Sequence, residues 1–328
     1  MVKVVRVHQP GPPEVMQFED LEVGAPGEGE ALVRIEAIGL NRAEAMFRLG
    51  SYIAPPSWPA RIGYEASGVL LEAGPGVTGF APGQRVSIIP NFRQGAHGVY
   101  AERAIVPASS LIAIPDWLGT LEAAAVWMQY FTAMAVIEVG KAGPGDFVII
   151  PAASSSVGLA AIQLANWAGA ETIAATRTSA KVQALKAAGA RHVIVTGEAD
   201  VPAEVMRITG GKGARIVFDP VGGPFVETWA KAMAERGILF VYGGLSGQDT
   251  PYPHWPAAFK GLSMRGWIAT EIWGKPERFS HYRDLILHGL TEGRLKPIIA
   301  KTFTLDQIVD AHRFLESNQQ VGKVVVTV

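Results

Sequence analysis

Residues 146–181 constrain this chain more than any other stretch. Asp146-Phe-Val-Ile-Ile-Pro151 reads as a short buried strand, and Ala152-Ala-Ser-Ser-Ser-Val-Gly158 as a turn of small residues. Leu159–Ala168 is helical by its apolar spacing and stops at Gly169; a second strand, Thr172–Thr176, then runs into Arg177-Thr-Ser-Ala-Lys181. Strand, tight turn, helix and strand form the unit that lays a dinucleotide pyrophosphate on a helix N-terminus. The helix offers unpaired N–H groups and a partial positive charge, and small residues let the backbone approach the phosphate. In the G-x-G-x-x-G register the positions are Ala153, Ser155 and Gly158, so only the last is glycine. The expected phosphate contacts are Ser154, Ser155, Ser156, Val157 and Gly158.

The same residues allow a second reading. Ser154-Ser-Ser156-Val-Gly158 sits on a strand-to-helix turn, as the G-x-S-x-G elbow of hydrolases does. Ser156 would be the nucleophile, with Asp219 and His281 or His312 following in hydrolase order. The elbow's leading glycine is missing, and no H-G-G-G-type run occurs.

The flanking sequence supplies two textures. Residues 1–120 read as mostly β, with strands at Val2–His8, Ala31–Ile38, Gly68–Glu72 and Arg85–Ile89 separated by Pro-Gly turns. Many short strands with turn signals suggest a partly open barrel. A helix is expected to start near Asn41, followed by a proline-stiffened loop, Ser51–Pro56. Residues 122–139 read as one buried helix. From Asp146 strands and helices alternate: helix 179–188, strand His192–Val195, helix Val201–Thr209, strand Ala214–Asp219, helix Pro224–Met233, and strands Gly237–Tyr242 and Leu262–Trp267. This is the pattern of a parallel, doubly wound sheet. Helix Pro276–Leu290 follows, and the tail returns to β at Ile298–Phe303 and Lys323–Val328, with a helix at Leu305–Ser317 between them.

Composition narrows the function. A net charge of −1 with no basic run argues against nucleic-acid binding. The 328 residues contain no cysteine, which excludes disulfides and thiolate metal sites and fits a cytoplasmic enzyme. Met1–His8 is too short and polar for a signal peptide. The most apolar run, Ala123–Ile137, is too short to span a bilayer. The seven histidines form no cluster by spacing.

Taken jointly, Gly39-Leu-Asn41 with Gly50-Ser-Tyr52, Gly63-Tyr-Glu65-Ala-Ser-Gly68, Ala152–Gly158, Asp219-Pro-Val-Gly-Gly223 and Gly322-Lys323-Val324 resemble the medium-chain dehydrogenase/reductase superfamily, specifically its zinc-free quinone oxidoreductase branch. The resemblance covers nearly the whole chain. It implies an α/β protein with a GroES-like, mostly-β barrel catalytic domain (residues 1–123 and 269–328) and a doubly wound Rossmann domain (124–268). Zinc-using members carry Gly-His-Glu where this chain has Gly63-Tyr64-Glu65, a ligand cysteine near Asn41 and a four-cysteine lobe near residues 91–107; none of these ligands is present here. Alcohol oxidation therefore loses its Lewis acid, whereas a conjugated carbonyl carries its own electron sink.

The resemblance implies that Tyr52 donates a proton or orients substrate, that Asn41 lies near nicotinamide and substrate, and that Thr132 lies beside the nicotinamide. For each there is a plainer role: a loop tyrosine packed on Pro55 and Pro56, a helix N-cap, and a hydroxyl satisfied within its own helix. Met46 stands where quinone oxidoreductases often have tyrosine, so their quinone contacts do not carry over whole. Gly243, Gly244 and Leu245 follow a strand end, where the crevice of such sheets lies. Thr176, Thr196 and Lys323 complete the expected cofactor contacts. Trp255, Trp267 and Trp273 could line an aromatic pocket with Tyr52.

Cofactor choice is legible at the second strand. A sheet that prefers NADH usually ends this strand in an acidic residue; here it ends Ala174-Ala-Thr176, and Arg177 and Lys181 come next. Basic residues suit a 2′-phosphate, so NADPH is expected. The expectation is an NADPH-dependent reductase of a small quinone or enone, without membrane or nucleic-acid partners. Strand 262–267 at the sheet edge is expected to pair with its twin in a homodimer. The other readings are an α/β-hydrolase through Ser156 and a weakly catalytic NADPH-binding protein.

Overall fold

The computed structural model describes residues 1–328, which divide into two compact units: residues 1–128 with 297–328, and residues 129–296. The chain rejoins the first unit at Pro297, later than the expected residue 269. Helix Pro276–Thr291 belongs with the second unit because Phe279 stacks on Phe131 at 5.7 Å and Arg278 pairs with Glu138.

The first unit is built from two sheets. The smaller runs Met16–Leu21, Val2–Val7, Ala60–Arg61, all antiparallel. The larger runs Ile299–Thr304, Lys323–Thr327, Glu30–Gly39, Glu65–Ala73, Arg85–Ile88, Leu111–Ala113, with Arg103–Pro107 also paired to Glu30–Gly39. Residues 100–102 stitch the two together: Tyr100 O accepts the Val5 N–H (2.8 Å) and Glu102 O the Ile35 N–H (3.0 Å). The alternating strands turn one face inward, and Val5, Val33, Ile35, Ile62, Val86 and Val324 form a shared core. This is the expected barrel-like β unit.

The second unit is the expected parallel sheet. Its order across the sheet is His192–Val195, Glu171–Thr176, Phe147–Ile150, Ala214–Asp219, Met233–Val241, Ser263–Gly266. The chain starts in the middle, winds outward on one side, then returns to wind outward on the other. Helices Ser156–Trp167, Val201–Ile208 and Val226–Ala232 connect the strands. Near-continuous apolar runs such as Val148-Ile149-Ile150 suit strands buried on both faces, and Ile149, Ile173, Val217, Leu239 and Trp229 lie in one core. No helix is long and apolar enough to cross a membrane.

Three expectations need correction. The single helix 122–139 is three short ones, Thr120–Ala123, Trp127–Ala133 and Ala135–Glu138. In an unbroken helix the Trp127 N–H would bond to the Ala123 carbonyl. Instead Glu65 Oε1 accepts the Trp127 N–H (2.7 Å), and the Ser87 hydroxyl donates to the Ala123 carbonyl (2.9 Å). Downstream, the Thr132 carbonyl accepts the Trp267 indole N–H at 2.8 Å, near the second break. Polar side chains from distant strands thus replace helical bonds, which apolar periodicity cannot report. The helix expected at 179–188 begins as a 3-10 turn, Ser179–Lys181, before Val182–Ala187. The strand expected at Gly237 begins at Met233, because a register shift and a left-handed Arg236 (φ 56°) add a bulge that extends the pairing.

Gly39 shows how tightly the larger sheet meets residues 120–124. A Cβ built there collides with the Ala124 carbonyl and the Lys323 Cε. Gly39→Ala is expected to lower stability by about 1–3 kcal/mol or more in denaturant titration. Gly24→Ala, with nothing within 4 Å of its Cβ, is the control and should be near neutral.

Candidate active site

Helix Arg42–Arg48 sets up the site in the first unit. Asn41 is its N-cap, in extended conformation (φ −129°), and the Asn41 N–H donates to Glu44 Oε2 at 2.9 Å. The helix ends in a Schellman motif: the Ser51 N–H donates to the Met46 carbonyl (2.9 Å) and the Gly50 N–H to the Phe47 carbonyl (2.9 Å), with Gly50 left-handed (φ 73°). The two ends of one short helix therefore aim both residues that the sequence singles out, Asn41 and Tyr52.

Beneath Asn41 lies a buried charged cluster. Lys323 Nζ donates to Asn41 Oδ1 and to Glu65 Oε2, each at 2.6 Å. Glu65 Oε1 accepts the N–H groups of Trp127 (2.7 Å) and Met128 (3.1 Å). Glu44 Oε1 accepts the Tyr64 N–H at 3.3 Å. Lysine only donates, so its contact fixes the orientation of the Asn41 amide, whose Nδ2 bonds the Gly39 carbonyl at 3.0 Å. Lys323, expected among the cofactor contacts, has a fully buried ammonium committed to Glu65 and Asn41, so in this structure it orients Asn41.

Tyr52 and Tyr64 stand edge to face, with ring centroids 6.2 Å apart at 61°. Burial, reinforced by the nearby Glu44 charge, pushes the Tyr52 phenol up to about 12. It is therefore protonated at neutral pH and able to donate. Burial also raises Tyr64 further above the usual phenol range. Glu44 is pushed up to about 7 by burial, an effect partly offset by Lys323.

In the second unit the expected cofactor residues converge at the carboxyl ends of the parallel strands. Ser155 caps helix Ser156–Trp167 by accepting the Gly158 N–H at 3.0 Å. Gly158 has no room for a side chain: a Cβ would lie 2.7 Å from the Ala153 backbone. The one surviving glycine of the fingerprint is thus the one that lets helix and turn touch. Sequence reasoning passed over Ala152, which is left-handed (φ 46°) at the start of the turn, a conformation glycine would take without strain. The Ala153 N–H bonds the Ala175 carbonyl (3.3 Å), tying the turn to the second strand.

Lys181 completes the connection, its Nζ donating to Ser154 Oγ at 2.9 Å. Burial first, then the Arg177 charge, pull the Lys181 ammonium down, so two cations share this strand end. Thr196 donates its N–H (2.8 Å) to the Thr176 carbonyl. Turn 219–223 and residues 243–246 are zippered by the Leu245 N–H to Pro220 O (3.1 Å) and the Ser246 N–H to Val221 O (2.9 Å). A Cβ on Gly243 would lie 2.6 Å from Pro220 O, so its glycine answers to close packing, whereas Gly244 is unobstructed. Thr132 lies beside Trp267 through its carbonyl.

The expected aromatic pocket does not form as one group. Trp267 and Trp273 are core residues, 4% and 8% exposed, with Trp273 edge-on to Phe131 at 5.8 Å. Trp255 is 66% exposed and stacks on Phe259 at 5.9 Å. The hydrolase triad is likewise not assembled. Asp219 spends its carboxylate on the Val221 (2.7 Å) and Gly222 (3.2 Å) N–H groups, His312 is buried against the Tyr100 hydroxyl (3.0 Å), and His281 is exposed beside Tyr282.

Comparison with known proteins agrees with this geometry. A zinc-binding dehydrogenase family model matches residues 156–287, and the alcohol dehydrogenase GroES-like domain matches residues 27–116. Quinone oxidoreductase 1 of Escherichia coli K12 is 30% identical over 331 residues, covering 98% of each chain. This chain belongs to the zinc-free quinone oxidoreductase-like branch of the medium-chain dehydrogenase/reductase superfamily. A 2-haloacrylate reductase from Burkholderia is 29% identical over 340 residues, covering 99% of both chains. The crystal structure of Escherichia coli quinone oxidoreductase complexed with NADPH superposes with a TM-score of 0.92 at 28% identity, over 99% of this chain and 100% of that one.

The superfamily's zinc does not fit the residues present. Tyr64 replaces the histidine, cysteine is absent, and Glu65 is saturated by Lys323 and two backbone N–H groups. The dinucleotide does fit: a serine-capped helix, a turn with no room for a side chain at Gly158, and a lysine already reaching that turn.

Glu44 generates a pH test. Its folded-state value, about 7, lies above its ordinary 4.5, so its stabilisation is fully present below about pH 4.5 and is lost as pH rises through about 7. Glu44→Gln cannot ionise. Its melting temperature relative to wild type is expected to rise between about pH 5 and about pH 8. A difference that stays constant over that range would show that Glu44 does not titrate there.

Proposed function

We propose that this chain is an NADPH-dependent reductase that delivers hydride to a quinone or an α,β-unsaturated carbonyl, without a metal. The observation that carries the reading is the basic strand end: Arg177 beside Lys181, with Lys181 reaching Ser154 on the phosphate turn at 2.9 Å. An acidic residue there would select NADH through the ribose hydroxyl, whereas two cations select a 2′-phosphate. The NADPH complex of the Escherichia coli quinone oxidoreductase and the 2-haloacrylate reductase support the cofactor and the unsaturated substrate class.

The proposed contacts are Ser154–Gly158 for the pyrophosphate, Thr176, Arg177 and Lys181 for the adenosine ribose phosphate, and Thr132, Thr196 and Gly243–Leu245 along the remainder. Bound there, NADPH supplies a hydride. The chain's own residues position reactants, exclude water and handle the proton. Asn41, its amide locked by Lys323, offers a fixed hydrogen-bonding group to substrate or nicotinamide amide. Tyr52 holds a proton for the carbon or oxygen left electron-rich. Strand Ser263–Gly266 is at the sheet edge, which supports pairing with a second copy as a homodimer; the cysteine-free sequence supports a cytoplasmic setting.

Steady-state rates with NADPH and NADH on a panel of quinones, enones and enoyl thioesters test this. A kcat/KM preference for NADPH of roughly 10²–10⁴-fold is expected from two charge-assisted contacts. Arg177→Ala with Lys181→Ala should abolish most of it by raising the NADPH KM. Equal use of both cofactors would refute the assignment. Tight NADPH binding without oxidation on any substrate would favour the weakly catalytic reading.

A further inference from the structure

Arg48 is the last residue of the helix that stops just before Tyr52, and its side chain is fully buried. Its Nη1 donates to the Gly11 carbonyl and its Nη2 to Glu316 Oε1. Its own carbonyl accepts the Gly11 N–H at 3.3 Å. Glu316 is the last residue of helix Ile308–Glu316. One turn earlier on that helix, His312 Nδ1 stands 3.8 Å from the same Glu316 oxygen, while its Nε2 meets the Tyr100 hydroxyl at 3.0 Å. The end of helix Arg42–Arg48 is thereby tied both to the loop at Gly11 and to the C-terminal helix.

A buried guanidinium paired with a carboxylate gives little net stability over apolar side chains of the same volume. What the tie does is fix position. Residues 51–59 contain no helix or strand, so Tyr52 takes its place from the helix end. The Ser51 N–H to the Met46 carbonyl and the Gly50 N–H to the Phe47 carbonyl pass that position on. The other end of the helix is anchored by different groups. Lys323 holds the Asn41 side chain, Glu44 holds the Asn41 N–H, and Arg42 donates to the Leu315 carbonyl (3.0 Å) and Asn318 Oδ1 (2.5 Å). The Arg48 tie therefore bears on the Tyr52 end.

We propose that Arg48 is a positioning residue for Tyr52: by holding the helix end between Gly11 and Glu316, its guanidinium sets the place of the phenol relative to the reduced enone. The proposal rests on the reading of Tyr52 as proton donor. In that step the enone has accepted a hydride at its β-carbon and carries the electron pair as an enolate. The Tyr52 O–H bond breaks and a C–H bond forms at the α-carbon. Tyr52 is left as phenolate and regains a proton from water. A donor displaced by about 1 Å loses much of its rate even when substrate binding is intact.

Steady-state kinetics in two backgrounds test it. For an enone, Tyr52→Phe should lower kcat by about 10²-fold or more. Arg48→Met keeps most of the volume without the charge; kcat should fall about 10-fold, with both KM values within about 2-fold of wild type. Arg48→Lys keeps the charge opposite Glu316 but cannot bridge both acceptors, and kcat should recover to within about 3-fold of wild type. In the Tyr52→Phe background Arg48→Met should cost less than about 2-fold further, because the hydroxyl it places is gone. Should Arg48→Met fail to fold, Glu316→Gln, at the partly exposed end of the tie, should cost about 3-fold with the same dependence on Tyr52. An unchanged kcat in the folded variant, or the same loss in both backgrounds, would overturn the proposal while leaving Tyr52 as donor. Full kcat in Tyr52→Phe would overturn both.

Discussion

The first unit is organised by one buried ion pair, Lys323 with Glu65. Taking an ammonium and a carboxylate out of water costs several kcal/mol each, and attraction alone does not offset that unless the remaining hydrogen-bonding capacity is filled. Here it is. Glu65 binds Lys323 and the two N–H groups that open helix Trp127–Ala133, and Lys323 binds Asn41 as well. The pair joins the last strand to Asn41 and to the first turn of that helix, so segments far apart in sequence share one geometry. Removing either partner would leave an uncompensated buried charge. Such a cluster contributes little net stability over an apolar core; its effect is to fix where Asn41 points.

The same cluster explains the chemistry available at this face. The positions that hold zinc elsewhere in the superfamily are filled here by groups that only donate or accept hydrogen bonds: Asn41, Tyr64 and a saturated Glu65. A site without a Lewis acid cannot easily withdraw charge from an alcohol, but a quinone or enone needs no such help. It needs a hydride placed correctly and a proton held nearby. Tyr52, kept protonated by burial, is the residue proposed for the second requirement.

Much of this was readable in advance, for identifiable reasons. The parallel sheet announces itself because doubly buried strands require continuous apolar runs, and the phosphate turn because only small residues let Gly158 meet Ala153. Asn41 was readable as an N-cap and Tyr52 as a residue set just past a helix-ending glycine. What escaped depends on partners distant in sequence. The break of helix 122–139 is made by Glu65 and Ser87, the burial of Lys323 by Glu65, and the separate settings of Trp255, Trp267 and Trp273 by tertiary packing. Ala152, left-handed without being glycine, gave no signal at all.

The most direct test follows the atoms. With NADPH deuterated at the reactive face of C4, in ordinary water and with a chelator present, the reduced enone can be examined by NMR. Deuterium at the β-carbon and solvent hydrogen at the α-carbon would show metal-independent hydride transfer followed by a separate protonation. Product without deuterium, or turnover that stops with the chelator and returns with zinc, would contradict the account.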